Sequence, residues 1–178
     1  MMISRGDHPW DVVRNNRLIN NFLKSDADYF VKMDVDQVYP QDYFQKFLPL
    51  VGEYKVIGPL LYDRWKQNNF MPLAFSEYDY PKLMPMDLTG KTGIVDIPYS
   101  HTNLFYHREV LEKVPPPWYE AKLTQDGLDR ANHVDYDFLN KIKNAGYPIY
   151  IDLDTVVRHM TIQSVGKNLY ARRSDGAT

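Results

Sequence analysis

Cysteine is absent from the 178 residues. That excludes disulfides, cysteine-ligated metals and thiol nucleophiles. A strong charge of either sign is also missing: the formal net charge is −2, and the basic residues are scattered apart from Arg172-Arg173. No global field therefore invites nucleic acid polymer or an anionic membrane. No apolar run approaches the length of a membrane span, and the opening Met1-Met2-Ile3-Ser4-Arg5-Gly6 lacks the apolar core of a signal peptide. The expectation is a soluble, cytoplasmic protein. Repeats, a low-complexity linker and any sign of a second domain are missing too. Residues 1–178 read as one domain, with 1–9 and 161–178 as flexible tails.

What is present suffices for a core: 44% of the residues are hydrophobic and 14% aromatic. The pattern predicts a helix over about 10–24, although Arg14, Asn15, Asn16 and Arg17 interrupt its apolar face. A short buried strand follows at about 28–34. Pro40 suits a first helical position, and Phe44, Phe47, Leu48 and Val51 make an i, i+3, i+4, i+7 stripe. Tyr54 to Gly58 is the next strand. Residues 59–92 are rich in proline, methionine and aromatics but carry little periodicity, which predicts a long irregular loop. Extended segments over 94–99 and 102–106, a short helix over 108–114, a helix over 133–145 stopped by Gly146, and strands over 147–153 and 155–159 complete the chain. Strands and helices mixed in this order imply one α/β layer structure.

The predicted strand at 28–34 runs into Asp34-Val35-Asp36. In extended backbone, residues i and i+2 share a face, so both carboxylates can aim at one point. At the C-terminal end of a strand in an α/β sheet, that point is where ligands usually bind. Two converging carboxylates, with no sequence-adjacent Lys or Arg to neutralise them, suit a hard divalent cation such as Mg2+ or Mn2+. The alternative is that one aspartate caps the next helix and the other is solvated.

Four blocks together resemble the GT-A glycosyltransferases, enzymes that use nucleotide-sugar donors and a metal-binding Asp-x-Asp. They are Val13-Arg14-Asn15-Asn16; Tyr29 to Pro40; Ser100 to Val114 with Pro117-Trp118-Tyr119; and Asp135-Tyr136-Asp137-Phe138 followed by Ala145-Gly146-Tyr147 and Val156-Val157-Arg158-His159. Their order and spacing over residues 13–159 carry the likeness.

The resemblance implies a truncated GT-A fold, a Rossmann-like mixed sheet flanked by helices, and a metal-dependent transfer of a sugar from a nucleotide-sugar donor to a carbohydrate or other hydroxyl acceptor, with inversion. Asp34, Asp36 and His159 would hold Mn2+ or Mg2+, which neutralises charge developing on the diphosphate. For His159 the alternative is a strand-end histidine bonded to backbone. Asp135 is the candidate base for the acceptor hydroxyl, with Asp137 as the alternative, and helix capping accounts for at least one of them. Arg14 would contact the donor, or be a solvated helix arginine. Trp118 offers a flat wall for a sugar ring, or a core tryptophan after a proline turn. Tyr62, Trp65, Phe70, Phe75, Tyr78 and Tyr80 line an acceptor groove or pack the loop on itself.

Two departures stand out. Only about a dozen residues precede Val13, leaving no room for the family's base-holding strand-helix-strand unit. Weak donor binding with little base preference is expected, along with a sheet edge covered by oligomerisation or the N-terminal segment. Thr102 stands where the family tends to have glycine. The competing readings are a GT-A-like binding module without turnover and a metal-dependent hydrolase or phosphoryl-transfer protein. The hydrolase expects a denser acidic or histidine cluster than Asp34 and Asp36 provide.

Overall fold

The computed structural model describes residues 9–62 and 71–160. The expected tails (1–8 and 161–178 of them), Trp65 and Phe70 lie outside these residues. In chain order the elements are α1 (Pro9–Leu23), β1 (Tyr29–Val31), β2 (Gln37–Val38), α2 (Tyr43–Phe47), β3 (Val56–Leu61), β4 (Ala74–Asp79), β5 (Lys82–Pro85), β6 (Ile94–Asp96), β7 (Tyr99–Ser100), β8 (Phe105–His107), α3 (Arg108–Lys113), α4 (Val134–Asn144) and β9 (Tyr150–His159). This is a mixed α/β structure. No helix among the described residues is long and apolar enough to cross a membrane.

The main sheet runs β1-β8-β3-β9-β2, with β6 also pairing β9. Strands β3 and β9 are parallel; β8 lies antiparallel between β1 and β3. Period-2 alternation divides β3 between two cores. Val56 and Leu60 join Ile19, Val110, Leu111, Phe138 and Ile142 on the face covered by α1, α3 and α4. Ile57 and Leu61 join Tyr43, Phe47 and Val51 on the α2 face. The sheet is thus buried from both sides, as a parallel pair requires. A smaller sheet, β5-β4-β7, packs onto α4, where Phe75 meets Tyr136 edge-on at 5.7 Å.

Several expectations need correction. Of the helical stripe after Pro40, Phe47 and Val51 are buried, but Phe44 and Leu48 are 44% and 47% exposed and Tyr43 is buried with the first two instead. Spacing i, i+4, i+8 keeps these three on one face, and α2 is a single short helix that continues in turns. Residues 59–92 are not one irregular loop, because β3 extends into them and β4 and β5 form a hairpin there. The predicted strands at 147–153 and 155–159 are one strand, β9, broken by a bulge. Asp152 pairs with Pro59 but Val156 pairs with Leu60, so Leu153, Asp154 and Thr155 are extra. Asp152 holds the bulge itself, accepting from Thr155 Oγ1 at 2.6 Å and from the Asp154 N–H at 3.1 Å. Strand β1 stands at one end of the sheet order and pairs only with β8 among the described strands.

The helices end for identifiable reasons. Gly146, at φ 92°, closes α4. Its N–H bonds the Lys143 carbonyl while that of Tyr147 bonds Ile142, a pairing that uses up two terminal carbonyls. At the end of α1, the work falls to a side chain distant in sequence. The Arg108 guanidinium donates to the carbonyls of Phe22, Leu23, Ser25 and Ala27 at 2.7–3.2 Å and sits 4.8 Å over the Phe22 ring. A cation there also opposes the negative end of the helix dipole.

Arg108→Ala is expected to lower unfolding free energy by about 2–3 kcal/mol, the worth of charge-assisted hydrogen bonds left unmade. Glu112→Ala, which removes only the exposed ion pair to Arg108 at 3.5 Å, should change it by less than about 0.5 kcal/mol. Urea unfolding at neutral pH distinguishes the two.

Candidate functional site

The chain between β7 and β8, residues 100–103, is buried although every side chain in it is polar. Each must therefore find a partner. Ser100 Oγ donates to the Leu73 carbonyl at 2.6 Å. His101 Nε2 lies 2.8 Å from the Pro59 carbonyl, so that nitrogen carries the proton; Nδ1 accepts the Asn103 N–H at 3.1 Å. Thr102 Oγ1 donates to Asp135 Oδ1 at 2.9 Å, and the Thr102 carbonyl accepts the Tyr106 hydroxyl at 2.7 Å. Asn103 Nδ2 donates to Asp34 Oδ2 at 2.7 Å, while its Oδ1 accepts Lys32 Nζ at 2.7 Å. Adjacent residues of one buried segment thus hold the two carboxylates singled out in the sequence, Asp34 and Asp135. Close packing makes this possible: a Cβ on Gly58 of β3 would fall 2.4 Å from Leu104 Cδ2 and 3.2 Å from the Asn103 carbonyl oxygen.

Asp34 lies beyond β1, not within it. The last ladder-like bond runs from the Lys32 N–H to the Leu104 carbonyl, and Val35 and Asp36 then form a turn. The extended i, i+2 geometry expected for Asp34 and Asp36 is therefore absent. A cationic neighbour is also present, contrary to expectation, since Lys32 Nζ stands 3.2 Å from Asp34 Oδ1. Burial pushes the Asp34 carboxyl up, but the Lys32 charge and the Asn103 and Lys32 hydrogen bonds outweigh it, leaving the group below its ordinary range.

His159 stands beside this turn because β2 and β9 pair Gln37 with His159, and the Met160 N–H bonds the Asp36 carbonyl at 2.7 Å. His159 Nδ1 donates to the Tyr62 carbonyl at 2.7 Å, which makes Nε2 the acceptor nitrogen of the neutral ring. Its lone pair faces Gln37 Nε2 at 3.3 Å, and the same amide nitrogen lies 3.5 Å from Asp34 Oδ2. Asp34 and His159 therefore converge on one point. Both Asp34 and Asp36 are near the Tyr39 hydroxyl, where their charges add to burial in raising its pKa.

Among the described residues, no group of three or more Asp, Glu or His side chains is placed to hold a metal ion. The expected three-ligand set of Asp34, Asp36 and His159 is not assembled. The donor chemistry nonetheless fits a cation that takes one or two protein ligands and completes its shell with phosphate oxygens and water. A histidine whose second nitrogen is committed to a carbonyl is oriented as a ligand should be.

The remaining candidates divide. Asp135 sits in the first turn of α4 against Thr102, close enough for its charge to act on the buried hydroxyls of Tyr106 and Tyr119. Burial first, and the Asp135 charge after it, push the Tyr119 hydroxyl far up. Asp137 serves the fold: it accepts from Asn132 Nδ2 at 2.7 Å, Lys122 Nζ at 3.2 Å and the Tyr78 hydroxyl at 3.4 Å. Arg14 pairs with Asp11 at 3.3 Å within α1. Of the two readings of Trp118, ligand wall and core residue, the structure shows the second: it is 7% exposed and its indole N–H bonds the Leu111 carbonyl at 3.1 Å. Phe75 is likewise buried, and Tyr78 is occupied by Asp137 and the His133 N–H. Pattern alone does not single out Lys32, Gln37, Tyr39, His101 or Asn103 as site residues. Only Lys32 carries a signal, sharing with Asp34 the i, i+2 spacing. No family model matches this chain, and no curated protein matches it in sequence.

His101 makes the site sensitive to acid. Burial lowers its pKa from 6.5 to about 4, against the favourable Pro59 hydrogen bond. Between these values the unfolded chain binds a proton that the folded one refuses, so stability falls as pH drops. From pH 6.5 to 5 the loss from this group is expected to be about 1.5 kcal/mol. Urea unfolding of the wild type and of His101→Gln at both pH values should show that component missing from the variant.

Proposed function

We propose that this chain transfers a sugar from a nucleotide-sugar donor to a hydroxyl acceptor, with inversion, using Mn2+ or Mg2+. The observation that carries the proposal is the pair Asp34 and Asp135, held by neighbouring residues Asn103 and Thr102 of one buried segment. One carboxylate shares the Gln37 amide with the acceptor nitrogen of His159; the other accepts from the Thr102 hydroxyl.

In this reading Asp34 and His159 hold the cation, with Asp36 in the adjoining turn. The cation supplies neutralisation of the charge that develops on the departing diphosphate. Asn103 and Lys32 fix the Asp34 carboxylate, so that it need not reorganise when the donor binds. Thr102 fixes Asp135 through Oδ1. Asp135 takes the proton of the acceptor hydroxyl as its oxygen bonds the anomeric carbon. The bond from that carbon to the diphosphate oxygen breaks, and its electron pair leaves with the diphosphate. Asp135 suits this role better than Asp137, whose carboxylate is taken up by Asn132, Lys122 and Tyr78.

Turnover of a panel of nucleotide sugars, with hydroxyl acceptors and Mn2+, tests the reading. Asp34→Asn is expected to weaken Mn2+-dependent binding of nucleoside diphosphate by at least about tenfold. Asp135→Asn should leave that binding intact and slow transfer by roughly 10²–10⁴, the usual worth of a general base. Tight diphosphate binding without turnover on any donor would instead favour a sugar- or nucleotide-binding module.

A further inference from the structure

The hydrogen bonds around Gln37 can run in only one direction. The Asp34 N–H donates to the Tyr39 hydroxyl oxygen at 3.0 Å, so the Tyr39 proton goes to Gln37 Oε1. The Gln37 NH2 group is then turned toward Asp34 Oδ2 and His159 Nε2, both acceptors. Reversing the amide would set its oxygen against the Asp34 carboxylate and bring a second donor to the Tyr39 oxygen. Gln37 is 8% exposed, so water offers it little compensation for a bond given up. Tyr39, Gln37 and Asp34 form a closed ring, which branches to His159 at Gln37 and to Asn103 and Lys32 at Asp34.

We propose that Gln37 is a place-holder for the cation: its amide nitrogen occupies the point where the lone pairs of Asp34 and His159 meet. The inference rests on the cation reading above and concerns how affinity for the cation is set. A cation and an amide N–H2 compete for the same two acceptors, one with full and the other with partial positive charge. Without the cation, the amide keeps two facing acceptors satisfied and ties β2 to the end of β9. With it, the amide withdraws. Cation affinity is therefore lower than Asp34 and His159 would give alone, and the difference is the worth of the hydrogen bonds displaced.

The test uses the full chain and the metal alone. Mn2+ binding is followed by electron paramagnetic resonance for the wild type, Gln37→Ala, Gln37→Glu and Asp34→Asn. Removing the amide should raise Mn2+ affinity on the order of tenfold, and Gln37→Glu should raise it further by adding an oxygen ligand. Asp34→Asn should abolish binding. A measurement on the wild type guards against misfolded variants: on titration with Mg2+, the side-chain amide protons of Gln37 should shift and lose their protection from exchange. If Asp34-dependent binding is found but Gln37→Ala weakens it or leaves it unchanged, the place-holder is wrong and the cation site stands. Mg2+ binding while the Gln37 amide stays protected overturns the place-holder in the same way. Absence of cation binding in the wild type and in both Gln37 variants overturns the cation reading and this inference together.

Discussion

A buried run of polar side chains is the constraint on which the site depends. Ser100, His101, Thr102 and Asn103 cross from the small sheet to the large one with almost no access to water. Unpaired, each would cost a few kcal/mol. Paired, they dictate where their partners stand: the Leu73 and Pro59 carbonyls, Asp135, Asp34 and Lys32. Satisfying the segment and positioning the carboxylates are one requirement, since the same bonds accomplish both. This explains how residues from β3, from α4 and from the segment just after β1 meet although they are scattered over much of the chain.

Much of the architecture was legible in the sequence because it is written locally. The helices at 9–23, 108–113 and 134–144 carry their own stop signals or periodic faces, and they occur within a residue or two of where pattern placed them. The phase of α2 was only half legible: Phe47 and Val51 are inside as expected, but Phe44 and Leu48 are as apolar as Tyr43, and only the sheet decides which of these is covered. The hairpin of β4 and β5 escaped because proline, methionine and tyrosine crowd its alternation. Its inward residues are fixed by α4, distant in sequence.

The site divides along the same line. Asp34, Asp135 and His159 stood out as chemical types at suggestive positions, and the fold brings Asp34 and His159 to a common amide. What pattern could not supply was their neutral and cationic company. Gln37, His101 and Asn103 are ordinary residues in a linear chain, and their roles arise from pairings across β2–β9 and β3–β8. Trp118 shows the opposite failure: a residue type frequent in sugar sites is here given to the core, its indole N–H tied to the turn of α3 above it.

The bulge in β9 decides which side chain reaches Gln37. Ile57 and Leu61 share a face of β3 and pair with Tyr150 and Val157, so β3 advances four residues while β9 advances seven. Four is even and seven is odd, so a regular strand would put Val157 on the face opposite Tyr150. The surplus residues 153–155, held by Asp152, absorb the mismatch and turn Val157 and His159 back to the α2 side. Ironed flat, the strand would present Val156 and Arg158 there instead. A guanidinium would then stand where an imidazole lone pair now meets Asp34. One aspartate in mid-strand thus sets the sign of the charge at a site it never touches.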